Sequence, residues 1–369
     1  MKRKVLHISC GGLGSGGVSS VIFSIVKQLH NRFDFECIVF KKKCNKEDDF
    51  IRYGKLHRVE AYSSDGKTHF IELILRPFKL YTNVFRICKK EKYDVVHAHN
   101  LFEEGVCLWA AKNAGVPIRI AHSHNTNSTN KKSIIFKIRE KINLILINKY
   151  ATHKIACSNR AGKDYFNNSN YDVIYNSIDL EKYANKKITD KGHITFIHVG
   201  RYTYQKNQEF VIKVFANIKK KKDNSRLMLV GFGEDKEKLK NLIHELNLDE
   251  SVDLIPGDKV DVSEKYDEAD YMIFPSIYEG FGIVLLEAQA KRIPCFVSEA
   301  IQKEVDVGLL NYIKLSEMPE KWAEKILSYI DSNHEIDDSK IQENLNKFSS
   351  NEICEQYAKI YINISIQSK

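Results

Sequence analysis

No uninterrupted apolar run in this chain approaches the roughly 18 residues that a membrane-spanning helix needs. The opening residues, Met1 to Leu6, are basic but pass straight into a strand-like run and then glycines. They have neither the apolar core nor the small-residue cleavage site of a secretory signal, so a cytoplasmic protein is expected. The eight cysteines, at positions 10, 37, 44, 88, 107, 157, 295 and 354, include no CxxC pair, which removes zinc-ribbon spacing. Scattered among apolar neighbours, they read as reduced core residues, in line with a cytosolic address. Nothing resembles an aromatic RNP strand or a zinc finger, so nucleic acid is not expected as a partner despite a formal charge of +9. Low-complexity tracts and short repeats are also absent.

What is present suits a soluble globular enzyme: 43% hydrophobic and 28% charged residues over 369 positions, a length that favours two domains. The positive surplus concentrates around residues 76–92 and 131–154. It admits an anionic lipid surface, phosphorylated small molecules, or lysine-rich solvated faces.

Strand-like runs alternate with amphipathic segments throughout, which predicts α/β with parallel sheets. The first set of strands is Val5–Ser9, Phe35–Phe40, Val95–His99, Ile118–His122 and Lys154–Cys157, with helices near 18–30, 70–91, 103–114 and 134–149. The pattern restarts with Ile194–Gly200, Arg226–Val230, Val252–Ile255, Tyr271–Pro275 and Pro294–Ser298. One sheet rarely needs that many strands, so two Rossmann-like units fit better, joined between Asn176 and His193. A helix is expected from about residue 339 onward.

Strand Val5–Ser9 leads into Gly12, Gly14 and Gly17, which fit G-x-G-x-x-G ahead of an apolar helix. Such a loop brings backbone N–H groups close to a phosphate without saying which phosphate. A nicotinamide site usually holds the ribose with an acid at the end of the second strand. Here Asp34 and Glu36 come too early and Lys41, Lys42 and Lys43 follow, which only an NADP site would tolerate.

The second half carries three clusters where strands should end. Val199-Gly200-Arg201 is followed by Lys206-Asn207, two cations able to neutralise a diphosphate. Leu227 to Gly233 reads as a buried strand closing in a glycine turn. Pro275-Ser276-Ile277-Tyr278-Glu279-Gly280-Phe281-Gly282 runs on to Glu287, with Glu279 expected in a loop and Glu287 early in the next helix. The helix N-terminus would then face an anionic ligand. Because Glu279 reads as a loop residue, its replacement by alanine is expected to leave the fold intact.

The order VGR, KN, LVGxG and PSxxEGFGxxxLEA resembles the retaining family-4 glycosyltransferases of the GT-B fold, two Rossmann-like domains facing a central cleft. The glutamate pair is its most specific element, and Gly16-Gly17, His122-Ser123-His124-Asn125 and Ile174 to Asp179 match as well. His122–Asn125 and Ser298–Val305 look most like the capsular and exopolysaccharide subgroup. The resemblance implies an acceptor-binding domain at 1–180, a nucleotide-sugar domain at 181–345, and a terminal helix at 346–369 packing back toward the first domain. It also implies a nucleotide-diphosphate sugar donor, UDP favoured, and a glycan or lipid-linked acceptor.

The resemblance further implies that Gly16 and Gly17 meet the donor β-phosphate, while Arg201 and Lys206 hold the diphosphate. Glu279, in the Gly280-Phe281-Gly282 loop, would contact the sugar and Glu287 the ribose. Backbone near Gly231 and Ile255–Gly257 would meet the base. His124, or else His122, would line the reaction centre from the acceptor side with Asn125.

Three departures stand out: Ser19 where the family often has Glu, Arg292 where LEAxAxGxP has glycine, and Ser298–Glu304 in place of a glycine-rich G-x-x-E loop. No DxD-like pair ends a strand in the first half, and Asp48-Asp49 reads as part of a polar loop, so neither metal nor cofactor is expected. No protein nucleophile is nominated.

Residues 131–150 interleave Lys131, Lys132, Lys137, Arg139, Lys141 and Lys149 with Ile134, Ile135, Phe136, Ile138, Ile142, Leu144, Ile145, Leu146 and Ile147. That is a basic amphipathic helix suited to an anionic membrane, or else a core helix with a wet edge. Two rivals stay open: a catalytically silent GT-B partner protein, and an NADP-dependent oxidoreductase.

Overall fold

The structure is a computed structural model describing residues 2–9, 12–14, 16–40, 46–59, 70–99 (backbone alone for 70–74), 103–126, 134–167, 169–184, 192–332 and 334–363. It divides into two compact units, residues 1–177 with 350–369, and residues 178–349.

The first unit contains β1 (Arg3–Ser9), α1 (Gly17–Leu29), β2 (Phe33–Val39), α2 (Glu47–Ile51), β3 (Gly54–Arg58), α3 (Phe70–Glu91), β4 (Val95–Ala98), α4 (Glu104–Asn113), β5 (Ile118–Ser123), α5 (Ile134–Tyr150), β6 (His153–Ala156), α6 (Asn159–Phe166) and β7 (Asp172–Val173). The second contains α7 (Leu180–Tyr183), β8 (Ile194–Val199), α8 (Gln208–Lys221), β9 (Ser225–Gly231), α9 (Lys236–Glu245), β10 (Val252–Pro256), α10 (Val262–Asp267), β11 (Tyr271–Phe274), α11 (Ile283–Ala290), β12 (Cys295–Ser298), β13 (Leu310–Ile313), α12 (Pro319–Asp331) and α13 (Asp338–Asn346). The chain then returns to the first unit with α14 (Ser350–Ile362), which packs against α1.

Each unit has one all-parallel sheet, ordered β3-β2-β1-β4-β5-β6-β7 and β10-β9-β8-β11-β12-β13. Helices cover both faces of such a sheet, so its inner strands read as continuous apolar runs. Val5, Leu6 and Ile8 of β1 and Leu227, Leu229 and Val230 of β9 are accordingly buried. Helix α1 buries Val21, Ile22, Ile25, Val26 and Leu29, a single stripe at helical spacing. The six described cysteines, including Cys37, Cys107 and Cys295, are buried and form no disulfide with one another.

Three strands were not expected from the sequence, and the sheet order supplies the reason. β3 and β7 are the two edges of the first sheet and β13 is an edge of the second. An edge strand buries less, so Gly54-Lys55-Leu56-His57-Arg58 never shows the apolar run by which inner strands announce themselves. Asp48-Asp49 lies in α2 rather than a polar loop, and the single C-terminal helix is two, α13 and α14.

Helix α11 ends in a Schellman motif, with Ile293 N–H on Ala288 O at 3.0 Å and Arg292 N–H on Gln289 O at 2.9 Å. The residue between is left-handed, φ +59°, and it is Arg292, where the family pattern has glycine. Its guanidinium compensates by clamping α13: Nε donates to Asp338 at 2.6 Å and Nη2 to Gln342 at 3.2 Å. Left-handed strain in a side-chain-bearing residue costs about 1–2 kcal/mol, and a half-exposed ion pair returns about 0–1 kcal/mol. Arg292→Gly is therefore expected to melt at or above the native temperature. Arg292→Ala, which keeps the strain and loses the clamp, should melt about 2–4 °C lower. Differential scanning fluorimetry of both variants checks the order, and an alanine variant more stable than the glycine one would contradict it.

Candidate active site

In an open parallel sheet, loops leaving the carboxyl ends of the strands diverge where strand order reverses, and a crevice opens there. The reversals fall between β1 and β4 and between β8 and β11.

In the second unit, β8 delivers Gly200 and Arg201, then a 3-10 turn, Tyr204–Lys206, delivers Lys206. The Lys206 ammonium pairs with the Glu279 carboxylate and sits 4.6 Å from the centre of the Phe274 ring. The two side chains are only 15% and 11% exposed. Arg201 is exposed, lies 5.8 Å from the Phe232 ring centre, and has no acidic partner among the described residues. A paired cation and an unpaired one therefore leave the same strand end.

The loop carrying Glu279 is fastened from both sides. From the β8 side, Gln205 Nε2 donates to Tyr278 O at 3.0 Å, Ile277 N–H donates to Gln205 O at 2.9 Å, and Asn207 Nδ2 donates to Pro275 O at 3.2 Å. From the β12 side, Ser298 Oγ donates to Ser276 O and Gln302 Nε2 to Glu279 O, both at 2.5 Å. Ser276 Oγ and Gln302 Oε1 are buried here without partners among the described residues, which is hydrogen-bonding capacity directed at nothing within the chain. The Ser298–Glu304 segment thus secures the Glu279 loop through side chains.

Glu279 is in a loop, as the glycines around it suggested, but it is buried rather than solvent-facing. The expectation that its removal leaves the fold untouched is corrected below. Gly280 and Phe281 are buried too, with Phe281 against Phe348 at 5.9 Å between ring centres. Gly282 caps α11 with φ +93°, a conformation that side-chain-bearing residues resist. Glu287 lies in the second turn of α11, where Tyr266 Oη donates to it at 3.1 Å and the Tyr183 hydroxyl also bonds it.

Gly231 closes β9 where a β-carbon would fall 2.0 Å from Gly200 O, so no larger residue fits. Of the backbone near Gly231 and Ile255–Gly257 expected to meet a base, two carbonyls take part in bonds within the chain: Gly231 O accepts from Gly257 N–H at 3.2 Å and Ile255 O from Tyr202 Oη at 3.4 Å.

In the first unit, Gly16 caps α1 and Gly17 opens it, and a β-carbon at either would meet nothing within 4 Å. Ser19, the departure noted above, holds the glycine loop: its hydroxyl donates to Gly12 O at 3.4 Å and accepts from Gly14 N–H at 3.1 Å. Glu36, which comes too early in β2 for a ribose acid, is bonded by His57 and Tyr93, while Lys41–Lys43 lie outside the described residues. His124 is partly exposed, Asn125 is exposed and His122 is fully buried, so His122 does not line an open surface as one expectation had it. The rings of His7, His97 and His99 surround them, a grouping the sequence reading missed. The signal was there: His97-Ala98-His99 and His122-Ser123-His124 are alternate strand positions, which put both rings of each pair on one face. Burial lowers all five imidazoles, His7 and His124 to about 3.

Helix α5 exposes Ile134, Ile135, Ile138, Ile142 and Ile145, each more than half exposed, together with Lys137, Lys141 and Lys149. Arg139 turns away from this face and bonds the buried Glu103 at 2.9 Å, alongside Arg76 at 2.9 Å. Lys131 and Lys132 lie outside the described residues. On α3, Leu75 and Phe78 are exposed as well. Among the described residues, no helix is long and apolar enough to cross a membrane.

Comparison with known proteins agrees with this geometry. The family pattern described as Glycosyltransferase Family 4 matches residues 15–182, and that described as Glycosyl transferases group 1 matches residues 179–349. The capsular polysaccharide biosynthesis glycosyltransferase CapH of Staphylococcus aureus is 26% identical over 97% of this chain and 98% of its own length. The UDP-Gal:alpha-D-GlcNAc-diphosphoundecaprenol alpha-1,3-galactosyltransferase of Escherichia coli is 28% identical over 80% of this chain and 79% of its own. Among solved structures, HepE of Anabaena, in complex with UDP and glucose, superposes with a TM-score of 0.77 at 20% identity, covering 97% of this chain and 98% of that one.

Removing one partner of a buried ion pair strands the other, at a cost of about 3–5 kcal/mol. Glu279→Ala and Lys206→Ala should each lower the urea-unfolding free energy by about 3 kcal/mol, whereas Lys206→Met combined with Glu279→Leu should recover most of it. Additive effects in the double variant would show that the two side chains are uncoupled.

Proposed function

Because the chain belongs to the family-4 glycosyltransferases of the GT-B fold, we propose that it moves a sugar from a UDP-sugar donor to a glycan or lipid-linked acceptor during synthesis of a surface polysaccharide, retaining the anomeric configuration and using no metal. The observation that carries this reading is the strand-end pair of cations, Lys206 locked to Glu279 and Arg201 unpaired. As the sugar leaves, negative charge grows on the nucleotide diphosphate. Fixed cations and the N-terminus of α11 stabilise it without reorganising. In the proposed arrangement Arg201 and Lys206 hold the diphosphate, Glu279 and the Gly280–Gly282 loop meet the sugar, and Glu287 meets the ribose. Backbone at Gly231 and Ile255 meets the base, Gly16 and Gly17 offer backbone N–H groups to a phosphate, and His124 faces the acceptor. The E. coli relative, whose name specifies UDP-galactose and a diphosphoundecaprenol acceptor, supports this donor and acceptor class.

The same reading takes the exposed face of α5 as the contact with an anionic bilayer, where a lipid-linked acceptor has to be met. Five isoleucines flanked by three lysines match a surface that is apolar beneath and negative above.

Three outcomes are expected of the chemistry. UDP-glucose or UDP-galactose should raise the melting temperature more than GDP-mannose or NADP does, and UDP-sugar turnover should persist in excess EDTA. Glu279→Gln should lower kcat by at least about tenfold, roughly 1.4 kcal/mol of barrier. Activity lost to the chelator and restored by Mn²⁺ would overturn the charge assignment. For the membrane, each Lys near an anionic surface contributes about 1 kcal/mol, and salt screens it. Ile138→Ser with Ile142→Ser, or Lys137→Gln with Lys141→Gln, should therefore abolish sedimentation with phosphatidylglycerol vesicles at low salt while sparing UDP binding. Unchanged sedimentation would make α5 an ordinary surface helix.

A further inference from the structure

The five imidazoles at the β1/β4 reversal resolve into two hydrogen-bonded tapes. His7, His99 and His124 run end to end: His7 Nδ1 is 2.9 Å from His99 Nε2, and His99 Nδ1 is 2.9 Å from His124 Nε2. Their ring centres are 5.2 and 5.1 Å apart, with 30° and 28° between planes. The second tape starts at the Tyr361 hydroxyl, 2.8 Å from His97 Nδ1, and continues through His97 Nε2, 3.1 Å from His122 Nδ1, with ring planes 11° apart. The tapes lie face to face, His97 over His99 at 4.1 Å and His122 over His124 at 4.0 Å.

Two groups of three rings, His7 with His97 and His99, and His99 with His122 and His124, are close enough to share a cation. Ring orientation argues against it. A metal needs lone pairs converging on one point, and an imidazole lone pair lies in its ring plane. Rings stacked at 4.0–4.1 Å with 31° between planes direct their lone pairs side by side. The short nitrogen contacts are hydrogen bonds, each taking one proton.

An N–H···N bond between neutral imidazoles gives a tape a single polarity. In the second tape the polarity is anchored. Each direction leaves one buried donor unpartnered among the described residues, the Tyr361 hydroxyl in one and His122 Nε2–H in the other. A phenol O–H is a stronger donor than an imidazole N–H, and an imidazole nitrogen a stronger acceptor than a phenol oxygen, so Tyr361 donates to His97, His97 donates through Nε2–H to His122 Nδ1, and His122 carries its proton on Nε2. In the first tape neither end is anchored: His7 Nε2 and His124 Nδ1 are buried and lack partners among the described residues. Both polarities make the same bonds, so the group that meets His124 Nδ1 selects between them.

We propose that His99, backed by His7, is a positioning residue for His124, and that Tyr361, acting through His97, fixes His122 as a donor, so that the attacking hydroxyl of the acceptor is met by His124 Nδ1 and not by His122. A hydroxyl must donate into a lone pair. His124 Nδ1 offers one when its tape runs inward, and the N–H on His122 Nε2 does not. Burial keeps every member neutral near pH 7, so the tapes orient and accept without storing a charge. The assignment rests on the proposed reading that these histidines serve the acceptor side.

Two-bond ¹H–¹⁵N correlation spectra of the full chain, labelled with ¹⁵N-histidine, read the tautomers directly. His122 should appear as a single Nε2–H form in the native protein and shift toward the Nδ1–H form in Tyr361→Phe. His99→Gln replaces the middle ring by an amide that does not keep the two-nitrogen relay between His7 and His124, and should change the tautomer populations of His124. In that variant kcat should fall by at least about tenfold, with the UDP-sugar KM unchanged within roughly twofold. A native His122 spectrum of the Nδ1–H form overturns the proposal, as does a His124 tautomer untouched by His99→Gln. Turnover that survives His99→Gln but not His124→Ala removes the positioning role. Turnover that survives His124→Ala removes the acceptor-side reading instead, while the spectra still decide the tapes. If His99→Gln does not fold, the native and Tyr361→Phe spectra remain decisive.

Discussion

A side-chain ammonium largely withdrawn from water has to find an anion, and in the second unit that requirement ties together two segments 73 residues apart in sequence. Lys206 leaves the turn after β8 and Glu279 the loop after β11, strands that lie side by side where the strand order reverses. The ion pair can form only if both loops are held, and the surrounding hydrogen bonds hold them. Gln205 and Asn207 fasten the 275–282 loop from one side, Ser298 and Gln302 from the other. Arg201, five residues before Lys206, has no acidic partner among the described residues and lies 5.8 Å from the Phe232 ring centre. Two cations from one strand end thus differ: Lys206 is paired within the fold, and Arg201 has no carboxylate partner among the described residues.

The first unit meets the same topological constraint with different physics. Its strand-order reversal carries rings rather than charges, and burial keeps those rings neutral. Hydrogen bonds between rings then take the place of Coulomb attraction, with the Tyr361 hydroxyl of α14 at the end of one tape, 2.8 Å from His97 Nδ1. That gives the excursion of the chain back to the first unit a local chemical consequence. The last helix covers α1, and its tyrosines also pack on the histidine rings, Tyr357 5.7 Å from His97 and 5.9 Å from His122 between ring centres.

How much of this was legible in the sequence follows from what a linear pattern can encode. The nine inner strands announce themselves because both faces are buried, and Arg201, Lys206, Glu279 and Glu287 stand out because charges beside glycines at strand ends are unusual. Of the edge strands, β10 shows through Val252, Leu254 and Ile255, while β3, β7 and β13 carry too short or too polar a run to be seen. The burial of Glu279 could not be read, because it depends on a partner 73 positions away. Arg139 looked like one more cation on α5, yet it is turned inward by Glu103, whose claim on it no helical periodicity reveals. The paired H-x-H segments were visible, but their end-to-end geometry depends on which strands are neighbours.

The departures from the family pattern share a logic. Where glycine would relieve a left-handed helix end, Arg292 bears the strain and uses its reach to bind α13. Where a glycine-rich loop would follow β12, Ser298 and Gln302 replace backbone pliancy with side-chain hydrogen bonds to the Glu279 loop. Where an acid would follow the paired glycines, Ser19 bridges Gly12 and Gly14. In the first two cases a backbone solution has become a side-chain one. A loop held by side chains has fewer conformations open to it than one held by glycines. The second substitution therefore constrains the Glu279 loop most directly, because Gln302 fixes the Glu279 carbonyl with one amide atom and leaves the other, Oε1, buried and unpartnered among the described residues.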